Sequence, residues 1–339
     1  MSKPKRSLTM RDVGRHAGVS PITVSRALAN HASVTAETRA AVQRAAAELG
    51  YVPDFTARAL SRRGSKLVAL LLPNIANSVF AETIHGINDV LSESGFSLII
   101  AHSGYDAERE EELIRGLLGY RPDAVILTGF THTRATRTLL RRIGMPVVET
   151  WNIGPEPIDL AVGFSNFQAG RDMTRYLISK GHTRLAYHGG TQTDNERTRS
   201  REEGFRQALA EASLPATEAW IRSAPMELES GAELAQEIHA LPPGRKRPQA
   251  IFIASDMIAA GFVLEAARLG LRVPQDIAVA GFDDTPLGRA ISPALTTVHV
   301  RQREIGRCTA ELALRKLRGE KIDQPVIDLG FSIIPRDSA

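Results

Sequence analysis

"GVSPITVSRALAN", residues 18–30, decides how the N-terminal part of this chain folds. Gly18 supplies a turn and Ser20 can cap a helix. Pro21 takes the first helical position, where its missing N–H costs nothing. Val24, Ala27 and Leu28 then fall on one side of the helix, the side that packs inward. Pro21, Ile22, Ser25, Arg26 and Ala29 fall on the other. An isoleucine at the head of an outward face reads as a contact surface, because solvent gives it no reason to be there.

Working outward, Thr9 can cap an earlier helix, with Asp12 three residues on and Val13 and Ala17 facing inward. A third helix starts near Thr35, buries Val42, Ala46 and Leu49, and stops at Gly50, with Pro53 beyond. Two short helices joined by a tight turn and braced by a third form a helix-turn-helix, whose second helix enters the major groove of DNA. Arg26 can donate a bidentate pair to guanine, and Ile22 can touch a thymine methyl. Thr9, Ser20, Thr23, Ser25 and Thr35 read as caps or phosphate contacts, which position without reading sequence.

Charge agrees. Residues 1–66 hold twelve Lys/Arg against four Asp/Glu, while the remainder holds thirty against thirty-four. A basic head on a mildly acidic body implies a polyanionic partner for the head. A solvated basic tail accounts for residues 1–7 but not for the patterned residues after them. No run of about 18 apolar residues marks a membrane span, and "MSKPKRSLTMRDV" lacks the apolar stretch of a signal peptide. The chain is therefore expected to work in the cytoplasm. Cys308, the single cysteine, excludes an intrachain disulfide and reads as a small core residue.

The run D-V-x-x-x-A-G-V-S-x-x-T-V-S-R-x-L, followed by T-R and L-G-Y-x-P, closely resembles the headpiece of the lac-repressor family of bacterial transcription regulators. The resemblance assigns base reading to Pro21, Ile22 and Arg26. It makes residues 53–66, including "PDFTARALSRRGS", a hinge that folds on the operator and wedges Leu60 into the minor groove, flanked by Ala57 and Arg58. A plain flexible linker is the alternative. The domains implied are a headpiece at 1–52, a hinge at 53–66 and a body at 67–339.

From residue 67 the pattern changes. "KLVALLLP" is a continuous apolar run, as a strand buried on both faces should be. Strands then alternate with helices: "FSLIIAHS", "AVILTG", "PVVETWN", "DLAVGFSN", "RLAYHGG", "AIFIAS" and "IAVAGFDD". The expected helices are 79–94, 107–119, 168–180, 199–212, 230–240 and 256–269. This alternation means parallel sheets with helices on both faces, and its length suits two doubly wound lobes with a cleft between their strand ends. The expected lobes are about 67–161 with 296–327, and about 162–295 with 328–339, linked by crossings near 161, 295 and 327.

"VFAETIHGI", "GHTRLAYHGG", "REEGFRQAL", "VAGFDDTPLGRAISPALTTV" and "DLGFSIIPRDSA" resemble the same family's effector domain, which looks like a periplasmic sugar-binding protein. The resemblance places Asn77, Val79 and Phe80 at the cleft mouth. Arg201 grips ligand hydroxyls or a carboxylate, and Asp283 accepts hydroxyl hydrogens, with Asp284 a structural or interface carboxylate. Met226 stands where members often carry an aromatic, Ser255 where asparagine is frequent, and Ser165 where aspartate is common. Arg199 and Arg201 together, with Ser165 removing a carboxylate, favour an anionic ligand. His132, two residues past a strand end, can also reach an anion. "LTGFTHT", "DLAVGFSNFQAG" and "IDLGFSI" are similar to the gluconate-operon repressors within the family. The implied effector is a sugar acid: gluconate, its 6-phosphate or a keto derivative. A neutral sugar or a purine is the alternative.

Rival functions fare worse. No G-x-S-x-G elbow, P-loop or G-x-G-x-x-G is present, and the histidines are scattered, so neither an enzyme nor a metal or cofactor site is expected. A sugar-binding transport protein would not carry the headpiece. An unregulated DNA binder would not need the body. One headpiece makes few base contacts, so a homodimer on a near-palindromic operator is expected, built from helices such as 79–94 and 256–269. The family's four-chain assemblies add a C-terminal leucine repeat, and this chain stops at "IIPRDSA".

Overall fold

The structure is a computed structural model that describes residues 8–28, 30–51, 64–75, 78–190, 195–242 and 247–339. The expected contacts at Ala57, Arg58, Leu60 and Asn77 lie outside the described residues, as does Ala29. The chain divides into two units, Met1–Ser65 and Lys66–Ala339.

The first unit is three helices: α1 (Met10–Ala17), α2 (Pro21–Leu28) and α3 (Ala36–Leu49). Thr9 starts α1 by donating its N–H and its hydroxyl to the Asp12 carboxylate, at 2.9 and 2.7 Å. Gly18 and Gly50 end α1 and α3 at φ 68° and 66°, a conformation that costs glycine little. Val13, Val24, Ala27 and Val42 form a core with no solvent exposure. The Arg39 guanidinium donates to the carbonyls of His31 and Val34, tying down the link between α2 and α3.

The second unit holds two six-stranded sheets. The first contains β1 (Leu67–Leu72), β2 (Ser97–His102), β3 (Ala124–Thr128), β4 (Val147–Thr150), β5 (Leu160–Gly163) and β11 (Val326–Asp328), in the order β11-β5-β4-β3-β1-β2. Its described pairings are all parallel. The second contains β6 (Leu185–Gly190), β7 (Ile221–Ala224), β8 (Ala250–Ile253), β9 (Ala278–Asp283), β10 (Thr296–Val300) and β12 (Phe331–Ile334), in the order β12-β10-β9-β8-β6-β7. Helices α4 (Ala81–Glu93), α5 (Ala107–Leu118), α6 (Arg134–Ile143) and α12 (Gln302–Leu317) belong with the first sheet. Helices α7 (Asn166–Ser179), α8 (Glu196–Glu211), α9 (Leu228–Ala240), α10 (Asp256–Leu269) and the short α11 (Pro286–Ala290) belong with the second.

The structure corrects the sequence reading in three places. The second sheet is not wholly parallel, since β12 runs antiparallel to β10 along its edge. The crossing expected near 295 falls after Val300, because β10 fills the slot between β9 and β12 before the chain leaves. The crossings expected near 161 and 327 lie close to the ends of β5 and β11, at Gly163 and Asp328. A third lapse is α8, which begins at Glu196, three residues before the expected start, because Asn195 caps it by accepting the Thr198 N–H at 3.4 Å.

Three helix pairs approach so closely that a side chain would collide with the facing backbone. A Cβ at Gly86 or Gly306 would strike the Arg303 or Thr83 carbonyl, and one at Gly231 or Gly261 the Ile258 or Leu228 carbonyl. In the pair α7–α8, Gly204 sits on the Phe167 carbonyl and Gly170 on the carbonyl of Arg201. That last contact fixes the height at which Arg201 leaves its helix.

Candidate nucleic-acid interface and effector cleft

On the headpiece, Pro21, Ile22, Ser25 and Arg26 are all exposed, and Ile22 is 65% so. Helix α2 thus presents an apolar group and a guanidinium on one outward face while Val24 and Ala27 hold the other. The Ser20 hydroxyl accepts the Thr23 N–H at 3.1 Å and shares a hydrogen bond of 2.9 Å with the Thr23 hydroxyl. Thr35 accepts the Thr38 N–H at 3.3 Å. Thr9, Ser20 and Thr35 are therefore caps in this structure, and their exposed hydroxyls lie at helix N-termini, where phosphates are readily bound.

In the second unit, residues from strand ends of both sheets converge on one chamber. Its lining includes Phe80, Tyr105, Trp151, Arg201, Met226 and Asp283. Tyr105 follows β2, Trp151 follows β4 and Asp283 ends β9, so all three stand at carboxyl ends of strands, where such sheets bind ligands. These three also share backbone strain, with φ of 64°, 69° and 108°. Of the eight non-glycine residues with positive φ among the described residues, three line this one chamber. Such strain costs about 1–3 kcal/mol apiece and collects at functional sites.

Arg201 is 5% exposed and held from three sides. Its Nε donates to Asn166 Oδ1 at 2.9 Å and its Nη1 to the Ala254 carbonyl at 2.8 Å. The guanidinium lies over the Phe282 ring, 3.5 Å from its centroid. Asn166 in turn donates to the Trp151 carbonyl at 2.9 Å, so one amide ties the arginine of one lobe to the tryptophan of the other. Phe80, Trp151, Phe164 and Phe282 continue this link as an aromatic ladder with centroid spacings of 5.0, 6.4 and 6.1 Å. Burial pushes the Asp283 carboxyl up to about 8, against the pull of Arg201 and with the help of the Asp256 carboxylate. Near neutrality Arg201 therefore faces a largely uncharged Asp283 in the chamber, while Arg197 beside it is ion-paired with Glu196 at 3.7 Å. Trp151 Nε1 and Thr198 Oγ1 are buried there without a hydrogen-bond partner. Buried orphan donors are costly, and a hydroxylated ligand would satisfy them.

The lobes are closed on each other. Glu196 accepts the Phe130 N–H and the Thr131 hydroxyl, both at 2.9 Å. The Tyr105 hydroxyl reaches Met226 Sδ at 3.8 Å. The chamber holds only about 20 Å³ in this state, room for a water or two, so a larger ligand must part these contacts to enter. An adjoining cavity of about 370 Å³, which shares Val79 and Asp283 with the chamber, lies between Ser78–Glu82 and Thr285–Leu287. Among the described residues its lining has no basic side chain.

Val79, Phe80, Arg201, Met226 and Asp283 are thus brought together as expected, and three residues are not. Arg199 is exposed, because 197 and 201 share a helical face and 199 points away from it; its place is taken by Arg197, 5% exposed. Ser255 caps α10 through the Met257 N–H at 3.3 Å and lines the larger cavity, while Ala254 lines the chamber. His132 is occupied internally, with Nδ1 2.6 Å from Glu110 and Nε2 3.3 Å from Glu149. Burial disfavours its charge, yet these two carboxylates raise it to about 9. Asp284 is structural, held by Arg336 at 2.6 Å and His299 at 2.9 Å. Asn166, Asn195, Arg197, Tyr105, Trp151 and Thr198 were not foreseen. The cap signal in "TDNERTRS" was available for Arg197 and Thr198, since starting the helix at Asn195 turns both inward.

Comparison with known proteins bears on both surfaces. Residues 9–54 match the family described as "Bacterial regulatory proteins, lacI family", and residues 174–339 match "Periplasmic binding protein-like domain". The chain is 36% identical over 336 residues to the HTH-type transcriptional regulator GntR of Escherichia coli (strain K12), covering 98% of this chain and 99% of that protein. It is 39% identical over 332 residues to the HTH-type transcriptional regulator GntR of Pseudomonas aeruginosa, covering 97% and 95%. A solved lacI-family regulator from Silicibacter pomeroyi superposes with a TM-score of 0.90 at 34% identity, covering 98% and 99%. No helix among the described residues is long and apolar enough to cross a membrane. A DNA-reading helix with an apolar, cationic outward face, joined to a two-sheet ligand cleft, completes the account: the chain belongs to the lacI family of bacterial regulators, as a DNA-binding transcriptional repressor and not an enzyme.

Proposed function

We propose that this repressor answers to a sugar acid, gluconate or a close derivative, bound between the lobes of the second unit. One observation carries the proposal: Arg197 and Arg201 line a buried chamber whose carboxyl, Asp283, is held largely protonated near neutrality by burial. A pocket built this way pairs with a carboxylate and offers hydrogen-bond groups to hydroxyls. Two relatives that share over a third of its residues are both named GntR, which supports the same reading.

In this scheme the chain acts as a homodimer in the cytoplasm on a near-palindromic operator, one headpiece per half-site. The effector favours one arrangement of the lobes and so alters the spacing of the paired hinges, weakening operator binding as an inducer does. Calorimetric titration of the purified chain with gluconate, glucose and ribose tests the assignment. Heat of binding is expected with gluconate alone. A clear signal from a neutral sugar with none from gluconate would overturn it.

A further inference from the structure

A second chamber adjoins the first, sharing Tyr105 and Arg197 as its wall. Its chemistry is opposite. Asp106, Glu110 and Glu196 line it, together with the hydroxyl-bearing Thr128 and Thr131. Asp106 caps α5 through the Arg109 N–H at 2.8 Å. Glu196 is drawn below the usual carboxylate range, because Arg197, the Phe130 N–H and the Thr131 hydroxyl outweigh the effect of its burial. Glu110 is ion-paired with His132 at 2.6 Å and Glu196 with Arg197 at 3.7 Å, while Asp106 accepts only from the backbone among the described residues. The cleft thus has the Arg201 guanidinium at one end and, at the other, Asp106 beside two ion-paired carboxylates, Glu196 with Arg197 and Glu110 with His132.

We propose that the cleft selects sugar acids charged at one end only and rejects their phosphorylated forms. The carboxylate is held by Arg201 and Arg197, and the hydroxylated tail extends past Tyr105 to the second chamber, where carboxylates and threonine hydroxyls accept its hydrogen bonds. A terminal phosphate on that tail would face Asp106, Glu110 and Glu196 at close range. Turning the molecule round does not help, because its carboxylate then enters the same acidic chamber. This inference rests on the sugar-acid reading of the first chamber and narrows it.

The test is a pair of calorimetric titrations of the full chain, with gluconate and with 6-phosphogluconate. Gluconate is expected to bind at least about 100-fold more tightly, a gap of ~2.7 kcal/mol. The same ratio is then measured in Asp106→Asn, where asparagine still caps the helix, and in Glu196→Gln. Any general weakening of the closed state affects both ligands and cancels from the ratio. Each variant is expected to narrow it several-fold. Equal binding of the two ligands by the natural chain, or an unchanged ratio in both variants, would overturn the selection by charge while leaving the sugar-acid reading standing. Binding of a neutral sugar with neither acid would remove both.

Discussion

The DNA-reading helix and the ligand chamber solve opposite problems. Helix α2 displays what it uses: Ile22 is 65% exposed, and the Ser20 hydroxyl is already bonded to the Thr23 N–H and hydroxyl. The chamber hides what it uses: Arg201 is 5% exposed, Trp151 Nε1 and Thr198 Oγ1 lack partners, and three residues carry strained backbone. The partners explain the difference. A DNA groove is wide and wet and can come to a finished convex surface. A small solute must be wrapped, so its site is left with polar groups unsatisfied until it arrives.

The largest effect that can break this comparison is at Arg201. Arg201→Ala is expected to weaken the effector by at least about 100-fold, consistent with the loss of a buried charge-assisted hydrogen bond worth ~1.5–3 kcal/mol and of its electrostatic attraction. Operator affinity without effector should not change. Asn166 Oδ1 and the Ala254 carbonyl lose a donor, so the body should also melt earlier. Arg201→Lys restores the charge and serves as the control. Operator-release assays with and without gluconate decide the matter, and a response that survives Arg201→Ala removes the residue from the site.

The same contrast explains what the sequence made legible. The headpiece is local: caps, a proline at N1 and an inward face all lie within a few residues, and the three helices stand where the periodicity puts them. Continuous apolar runs such as "LVALLL" likewise announce buried parallel strands. The chamber is not local. Tyr105, Trp151, Arg197 and Asp283 come from four separated segments, and only the topology joins them. Three errors show where local reading fails. Pairing Arg199 with Arg201 was an error of phase: residues two apart on a helix face opposite sides, and α8, which starts at Glu196, puts Arg197 on the face of Arg201. His132 looked available because nothing near it in sequence revealed Glu110 and Glu149, which fold back to hold it. The crossing placed near 295 failed because β10 depends on β12, some thirty residues on, for one of its two neighbours.

A smaller effect sharpens the headpiece side. Ile22→Gln replaces an apolar contact with a hydrogen-bonding one at a position that is 65% exposed. It should alter preference at one base pair by about 1–3 kcal/mol and leave headpiece stability unchanged. Selection from a randomised operator library, alongside a thermal melt, measures both. An unaltered preference would make Ile22 an ordinary surface residue, and loss of folding would mean that α2 is not the finished surface described above.

The smallest predicted effect lies in pH and separates the two surfaces by sign. Asp283 titrates at about 8 because burial resists its charge, Arg201 only partly compensates, and Asp256 adds repulsion. Below about 8 the carboxyl is neutral, and Arg201 acts on an anionic ligand without that opposing charge. Above it, a negative charge appears beside the ligand. Affinity for gluconate should therefore be highest at and below neutrality and fall as pH rises through 8, by at most about tenfold per unit. Asp283→Asn should flatten that dependence between pH 6.5 and 8.5. His132 loses its proton nearer 9, so it contributes little inside this window. Helix α2 carries no carboxylate, and effector-free operator binding should show no matching fall. Titrations at three pH values, in buffers of different ionisation heat, count the protons taken up with the ligand. A slope that persists in Asp283→Asn would assign the titration to another group and detach Asp283 from the ligand.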